Sequence, residues 1–563
     1  MPTVARLKLL HSALLPCLLL VLAVGLLYGA FLHNPVVFDD IYFFDGRTPQ
    51  AYGHSAFHFD LRWFAYASIG WTANLFGQYL IGFRLGNLVL HAATAIALFL
   101  FLRRLFDAVL LRADAAVPVE GRLSHNWLAF FGALLFALHP VAVYAAGYLI
   151  ERTIVMATLF SLLSLYAYLE GLLNERRHWF IASAAFYFLA VFSKEHAVML
   201  PAVALALTLL LYSPSRELFR KVALPFMLFA LIGALVILKA KGVLGVPYEP
   251  YARDMIRQMA ESQVQPVDIT SPYASSVATQ CLLFFKYLLL WVVPNPAWMS
   301  VDMREPFAAS PLAWPYWLGV GGFVLYGGVA LWLLLRRGRK GLLGFALLFP
   351  WLLFATELST VRIQEPFVLY RSYLWMAGVF AVLPLLLGNL PARRAITYLL
   401  AMALLLAPLA WNRLTTFSHS LLLWDDAASL IDGRPYLPGF ERIYFNRGHG
   451  FYKVGLKQKA FEDYNWVIAH RPDYSYAYND RGEVYYDRGQ YREALRDLNK
   501  SIELKPDFAN PYFGRGLVLE GLHNMAAAQA DFRKSCELGR QAGCDKLRKM
   551  DGVSVSRAPP QSP

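Results

Sequence analysis

Charge is scarce in this chain. Asp, Glu, Lys and Arg supply only 16% of its 563 residues, where a soluble globular domain carries about a quarter. An ordinary soluble protein is excluded on that ground. Cysteine is rarer, with four residues. None falls in a CxxC or zinc-ligand spacing, so neither a disulfide framework nor a zinc module organises the fold. Cys17 and Cys281 lie in apolar runs and read as packing residues. No cluster of metal-ligand type is present, and no cofactor is expected; a divalent ion on Asp39-Asp40 stays open. The first apolar run also lacks an A-x-A-like cleavage site. His33-Asn34-Pro35 follows it instead, so the run reads as a retained span rather than a signal peptide.

What is present is hydrophobic. Apolar residues make up 57% and aromatics 15%, and the mean hydropathy is +0.42. Apolar runs lie near 12–32, 83–102, 127–147, 152–172, 179–192, 198–212, 222–239, 313–335, 341–357, 373–389 and 395–411. Most match the roughly 30 Å of a bilayer core; 179–192 is short. The expected fold is all-α: a polytopic membrane helix bundle of about 11 spans, then a repeat domain.

The net charge is +13. It is not a nucleic-acid face, because the basic residues fall in short connections between runs. Arg103-Arg104, Arg176-Arg177, Arg220-Lys221, Arg336 to Lys340 and Arg393-Arg394 occupy alternate connections. The positive-inside rule makes those cytoplasmic. The opposite face then carries Asp39-Asp40, the 193–197 turn, the long 240–312 segment, the 358–372 turn and the C-terminal repeats. The run at 279–293, with Lys286 in its middle, reads as a re-entrant or interfacial helix on that outer face.

From about 440 the period changes. Gly448, Gly482 and Gly516 recur at 34 residues, as do Ala460, Ala494, Ala528 and Asp463, Asp497, Asp531. Pro472 and Pro506 end the first two units. This resembles tetratricopeptide repeats, helix pairs that stack into a groove for protein or peptide. The domains are read as 1–415 membrane, 416–439 linker, 440–547 repeats (units 440–473, 474–507, 508–541) and 548–563 disordered tail. Cys536 and Cys544 flank Gly539 and Gly543. They could bridge across a glycine turn or remain thiols.

Several stretches carry a wider resemblance. They are Val36-Val37-Phe38-Asp39-Asp40, Phe83 to Ala92, Ala137-Leu138-His139-Pro140 with Arg152 beyond, Ser193-Lys194-Glu195, and Glu365 to Tyr373. In this order, and ending in the repeats, they resemble the GT-C superfamily of membrane glycosyltransferases. Within it the likeness is to the transmembrane and tetratricopeptide-repeat, O-mannosyltransferase-like proteins and their bacterial relatives. Two positions depart from the pattern: Tyr144 stands where a Glu is common, and Pro366 where an Arg follows the Glu. Mannose is therefore not carried over.

The resemblance implies an inverting transfer of sugar from a polyprenyl-phosphate lipid to a protein hydroxyl on the outer face, with the repeats docking the acceptor. It implies an inner-membrane enzyme of the bacterial type, working at the periplasmic side. It places the base on Asp39, with Asp40 orienting it or binding sugar. An alternative is a solvated acid pair that caps the next segment. The leaving phosphate needs cations. Arg371, Arg152, Lys194 and Arg362 fall at outer span ends, and each fits either phosphate binding or pairing with Glu151, Glu195 or Glu365. His139, Glu195, Glu365 and Tyr370 are supporting candidates, His139 fitting helix-end packing better than catalysis. Tyr248, Tyr251 and Trp298 suit sugar stacking or an aromatic belt equally. Two other functions stay open. One is a non-enzymatic scaffold with membrane-anchored repeats. The other is a transporter of lipid-linked sugar, disfavoured because charges sit at span ends rather than within spans.

Overall fold

The computed structural model describes residues 2–550 apart from 45–47, 54–59, 114–120, 248, 250, 251, 262–268 and 270. Tyr248, Tyr251 and most of the expected tail lie outside them. The chain divides into two compact units at Leu423/Trp424. The described residues are helical, with no strand and only two isolated bridges, Arg122–Pro391 and Met303–Phe367.

The first unit is a bundle of long apolar helices. Nine are long and apolar enough to cross a membrane, or ten if the bent pair His125–Leu138 and Pro140–Ala146 counts as one span. About 11 were expected. The expected spans at 179–192 and 198–212 are shorter elements, Arg177–Ser193 with 17 residues and Glu195–Leu211. The bend at His139-Pro140 has a local cause. Proline supplies no amide hydrogen and clashes with the preceding turn. The backbone at His139 is extended, and its Nδ1 accepts the Val141 amide at 3.3 Å.

The 279–293 run belongs to a continuous helix, Pro272–Val292, of 21 residues. Its length would cross a bilayer, yet both its ends bond one inter-span loop. Tyr273 donates to the Leu358 carbonyl (3.0 Å) and Ser276 to Thr360 (3.2 Å) at one end. Tyr287 donates to Val368 (3.0 Å) and Trp291 to the Ser372 hydroxyl (2.9 Å) at the other. The chain then returns, and the Ala308 amide donates to Thr279 at 3.0 Å. The helix runs along that loop, and it is also one of the nine long and apolar enough to cross a membrane. Lys286 is held there by Glu305.

The second unit is a helical solenoid. Its pairs are Phe440–Lys453 with Lys457–His470, Ser475–Asp487 with Tyr491–Leu504, and Ala509–Gly521 with Met525–Glu537. A final helix, Gln541–Met550, follows. The glycine column exists because each glycine meets the residue sixteen positions on. A Cβ at Gly448, Gly482 or Gly516 would lie 2.8, 3.0 or 2.7 Å from Tyr464, Leu498 or Phe532. The aspartate column is a ladder of forked ion pairs. Arg447, Arg481 and Arg515 bind Asp463, Asp497 and Asp531 through two nitrogens each, at 2.7–2.9 Å. Arg481 and Arg515 also reach back to Asn465 (2.7 Å) and Asn499 (2.6 Å). Arg447 reaches Asp425 at 3.4 Å. Asp425 lies on the Ser420–Ser429 helix, so the stretch expected as a linker already supplies the ladder's first acceptor. Cys536 and Cys544 form a disulfide across the terminal turn. Cys17 and Cys281 are free, the latter buried.

Candidate active site

The two acids of Asp39-Asp40 have different surroundings. Asp40 is fully buried. Its oxygens accept the amide of Ile150 at 2.8 Å and of Leu149 at 3.3 Å. Burial pushes its carboxyl up to about 7, against the pull of those amides and of Arg84. Asp39 is exposed. It sits at the N-cap of the short helix Asp40–Phe43 but its side chain makes no cap hydrogen bond, so the capping alternative does not describe it. Its amide donates to the Tyr148 hydroxyl at 2.9 Å. Phe38 before it has φ of +55°, a left-handed conformation that costs a side-chain-bearing residue roughly 1–2 kcal/mol.

That loop is latched from below by the helix Leu80–Ala113. Arg84 donates to the Asn34 carbonyl (2.7 Å), to Gly147 (3.0 Å) and to Pro35. Asn87 donates to the carbonyls of Tyr148 and Leu149 at 3.3 Å. The same helix thus holds both turns, 34–40 and 147–151. Arg84 and Asn87 lie within the Phe83–Ala92 stretch, and their role depends on two turns, more than a hundred residues apart, meeting at this helix.

A basic group lies nearby. Lys194 pairs with Glu151 at 2.6 Å, both buried, and its Nζ stands 4.6 Å from the Tyr370 ring centre. Burial pulls the Lys194 ammonium down, opposed by Glu151. Arg371 and Arg362 share one buried carboxylate, Glu357, at 3.1 and 3.4 Å. His196 takes its other oxygen at 2.8 Å. Glu365 gives Arg371 its backbone carbonyl at 3.2 Å. The carboxylate partner not foreseen is Glu357; its signal was an acid at the end of an apolar run, costly unless paired. Glu249 closes the turn by accepting the Gln364 amide at 2.8 Å. Tyr370 joins the parts, being within electrostatic reach of Glu151, Arg371, Glu365 and Asp39.

Other expected residues sit differently. Arg152 is a strut. Its guanidinium donates to Asn87 (2.7 Å), Thr72 (2.8 Å), Phe83 (2.8 Å) and Ser68 (3.1 Å) and is 2% exposed. Four bonds to two other helices leave it little for a phosphate, and a phosphate role does not suit it. Gly86 makes room, since a Cβ there would lie 2.7 Å from its Nη2. His139 stacks on Trp291 with centroids 4.3 Å apart, a packing role. Glu195 pairs with Arg62 through both oxygens. Trp298 is exposed on its turn. Among the described residues no three His, Cys, Asp or Glu side chains converge as a metal site.

Comparison with known proteins bears chiefly on the repeats. The TPR repeat family matches residues 482–522. No curated protein matches the chain. Among solved structures, the second TPR of Spaghetti (RPAP3) bound to the HSP90 peptide SRMEEVD is similar at 26% identity, over 18% of this chain and 87% of that one, with a TM-score of 0.17. The first TPR of Spaghetti is similar at 20% identity, over 20% and 91%, with a TM-score of 0.19. The arabinofuranosyltransferase AftD from mycobacteria aligns at 15% identity and a TM-score of 0.34, over 79% of this chain and 30% of its own length.

Proposed function

We propose that this chain is a membrane glycosyltransferase of the inverting kind, moving a sugar from a polyprenyl-phosphate lipid to a protein hydroxyl on the extracytoplasmic face. The observation that carries this reading is the division of labour in the acid pair. Asp40 is buried and spends its oxygens on two backbone amides, while Asp39 beside it is exposed at a latched turn. An exposed carboxylate on a rigid turn at a span mouth meets the geometric need of a general base.

In the reaction Asp39 takes the proton of the acceptor hydroxyl. The new bond forms from that oxygen to the anomeric carbon as the bond from carbon to phosphate oxygen breaks. The lipid phosphate leaves with the electron pair. Its added charge falls to Arg371 and Arg362, with Lys194 as a point charge. Glu357 holds the two arginines in place. Asp40, Arg84 and Asn87 position the base without touching substrate.

The Cys536–Cys544 disulfide supports an oxidising compartment for the repeats, in line with the basic loops on the other face. The repeats dock the acceptor. The test is transfer by the purified protein in nanodiscs supplied with polyprenyl-phosphate sugars and envelope proteins, read by mass spectrometry. Product from wild type and none from Asp39→Asn supports the reading. No product with any lipid-linked donor, or equal product from the variant, overturns it.

A further inference from the structure

The first helix of the second repeat gathers two acids side by side. Asp480 and Glu483 lie one turn apart on the helix Ser475–Asp487. Between them sits Asn479, 1% exposed. Its Nδ2 donates to Asp480 at 2.9 Å and to Glu483 at 3.1 Å. Its Oδ1, on the same amide, is buried and has no hydrogen-bond partner. A buried amide oxygen left so costs free energy unless something donates to it.

The neighbouring units contribute little positive charge. His449 of the first unit approaches Asp480 at 3.4 Å. Arg540, just past the helix Met525–Glu537, lies over the Phe513 ring at 4.4 Å and within electrostatic reach of Glu483. Burial and the Asp480 charge push the Glu483 carboxyl up to about 7, the pull of Arg540 and His449 notwithstanding. Groups from the first two units thus meet at one spot, with Arg540 in electrostatic reach, and leave two acids and a spare acceptor there.

We propose that this spot receives a lysine side chain from an extended, basic segment of a partner protein. An ammonium carries three donors and no acceptor. Asp480 and Glu483 offer it carboxylate acceptors, with the Asn479 oxygen beside them. A metal ion is the lesser fit, since no metal-type convergence of ligands occurs among the described residues. The inference deepens the docking role given to the repeats above and rests on that reading only for the partner's identity as acceptor. The binding itself needs no transferase activity.

The full chain in nanodiscs of zwitterionic lipid is titrated with a fluorescent serine–lysine peptide. A serine–glutamate peptide of equal length and the lysine-acetylated peptide are run beside it. Wild type should bind the lysine peptide alone. The pair Asp480→Asn and Glu483→Gln should weaken it by roughly ten-fold or more, the scale of a lost charged hydrogen bond. Glu503→Gln, on an outer helix, should bind like wild type. Equal binding of the acetylated or glutamate peptide overturns the proposal whatever the variants do. So does full binding by the double variant. Such a failure leaves the Asp39 transfer assay untouched, and a failed transfer assay leaves this binding untouched.

Discussion

The Asp40 carboxylate accepts the amide of Ile150 at 2.8 Å, across 110 positions of sequence. With the Leu149 bond beside it, this makes two separate turns into one piece, and Asp39 rides on that piece.

The latch should be pH-dependent. A folded-state value near 7 exceeds the ordinary carboxylate value of about 4. The native state therefore holds a proton that the unfolded chain has released. Stability is highest below that ordinary value and falls as pH rises through about 7. Thermal unfolding followed by tryptophan fluorescence should show the decline. Asp40→Asn should flatten it. The variant should also be less stable by about 1–3 kcal/mol, because its amide nitrogen faces an amide donor that a carboxylate oxygen had satisfied. An unchanged pH slope would remove Asp40 as its source.

Asp39→Asn should behave in the opposite way. Its side chain is exposed, so melting should stay near wild type. Transfer should drop about 10²–10⁴-fold, the usual contribution of a general base. Near-normal turnover by a well-folded Asp39→Asn protein moves the base elsewhere.

These two predictions mark what the sequence made legible. The acid pair and its place after the first span were visible, as was the 34-residue period, whose glycine and aspartate columns are each fixed by one contact sixteen residues apart. The separate roles of Asp39 and Asp40 were not, since the partners of Asp40 lie more than a hundred residues away. Arg152 shows the same dependence on distant partners. A basic residue at a span end looks like a headgroup ligand until its four acceptors, on two other helices, are seen. Glu365, six residues before Arg371, gives it a backbone carbonyl. The buried carboxylate is Glu357, fourteen residues back, brought near by the turn that ends one span and starts the next.

The terminal disulfide closes a short loop, Cys536 to Cys544. In the chain-entropy account a bridge of that span contributes roughly 2–3 kcal/mol. Cys536→Ser together with Cys544→Ser should therefore fray the helix Gln541–Met550 first, seen as faster amide exchange there than in Tyr491–Leu504. In intact cells a thiol reagent that cannot cross membranes should label the pair only after reduction. Labelling only after lysis would place the repeats on the cytoplasmic side and reverse the proposed topology, whereas labelling of intact cells without reduction would leave them outside but remove the bridge.

Arg371→Ala should weaken donor use more than acceptor use. The reason is charge: a lipid phosphate near the membrane surface is costly unless cations meet it. Titrating donor at fixed acceptor should show a raised KM for donor, with the acceptor KM near wild type. Arg371→Lys should recover part of the loss, since an ammonium keeps the charge but not the planar fork. The competing account is that Arg371 only braces the turn by pairing with Glu357. Glu357→Gln separates the two. It strands Arg371, Arg362 and His196 around a neutral amide, and breaking a buried pair of this kind costs about 3–5 kcal/mol. Its damage should appear as lost folded protein, whereas Arg371→Ala should lose donor affinity in protein that is still folded. If Arg371→Ala and Glu357→Gln fail alike in stability and the surviving protein keeps its donor KM, Arg371 is a brace, and Lys194 becomes the cation to test.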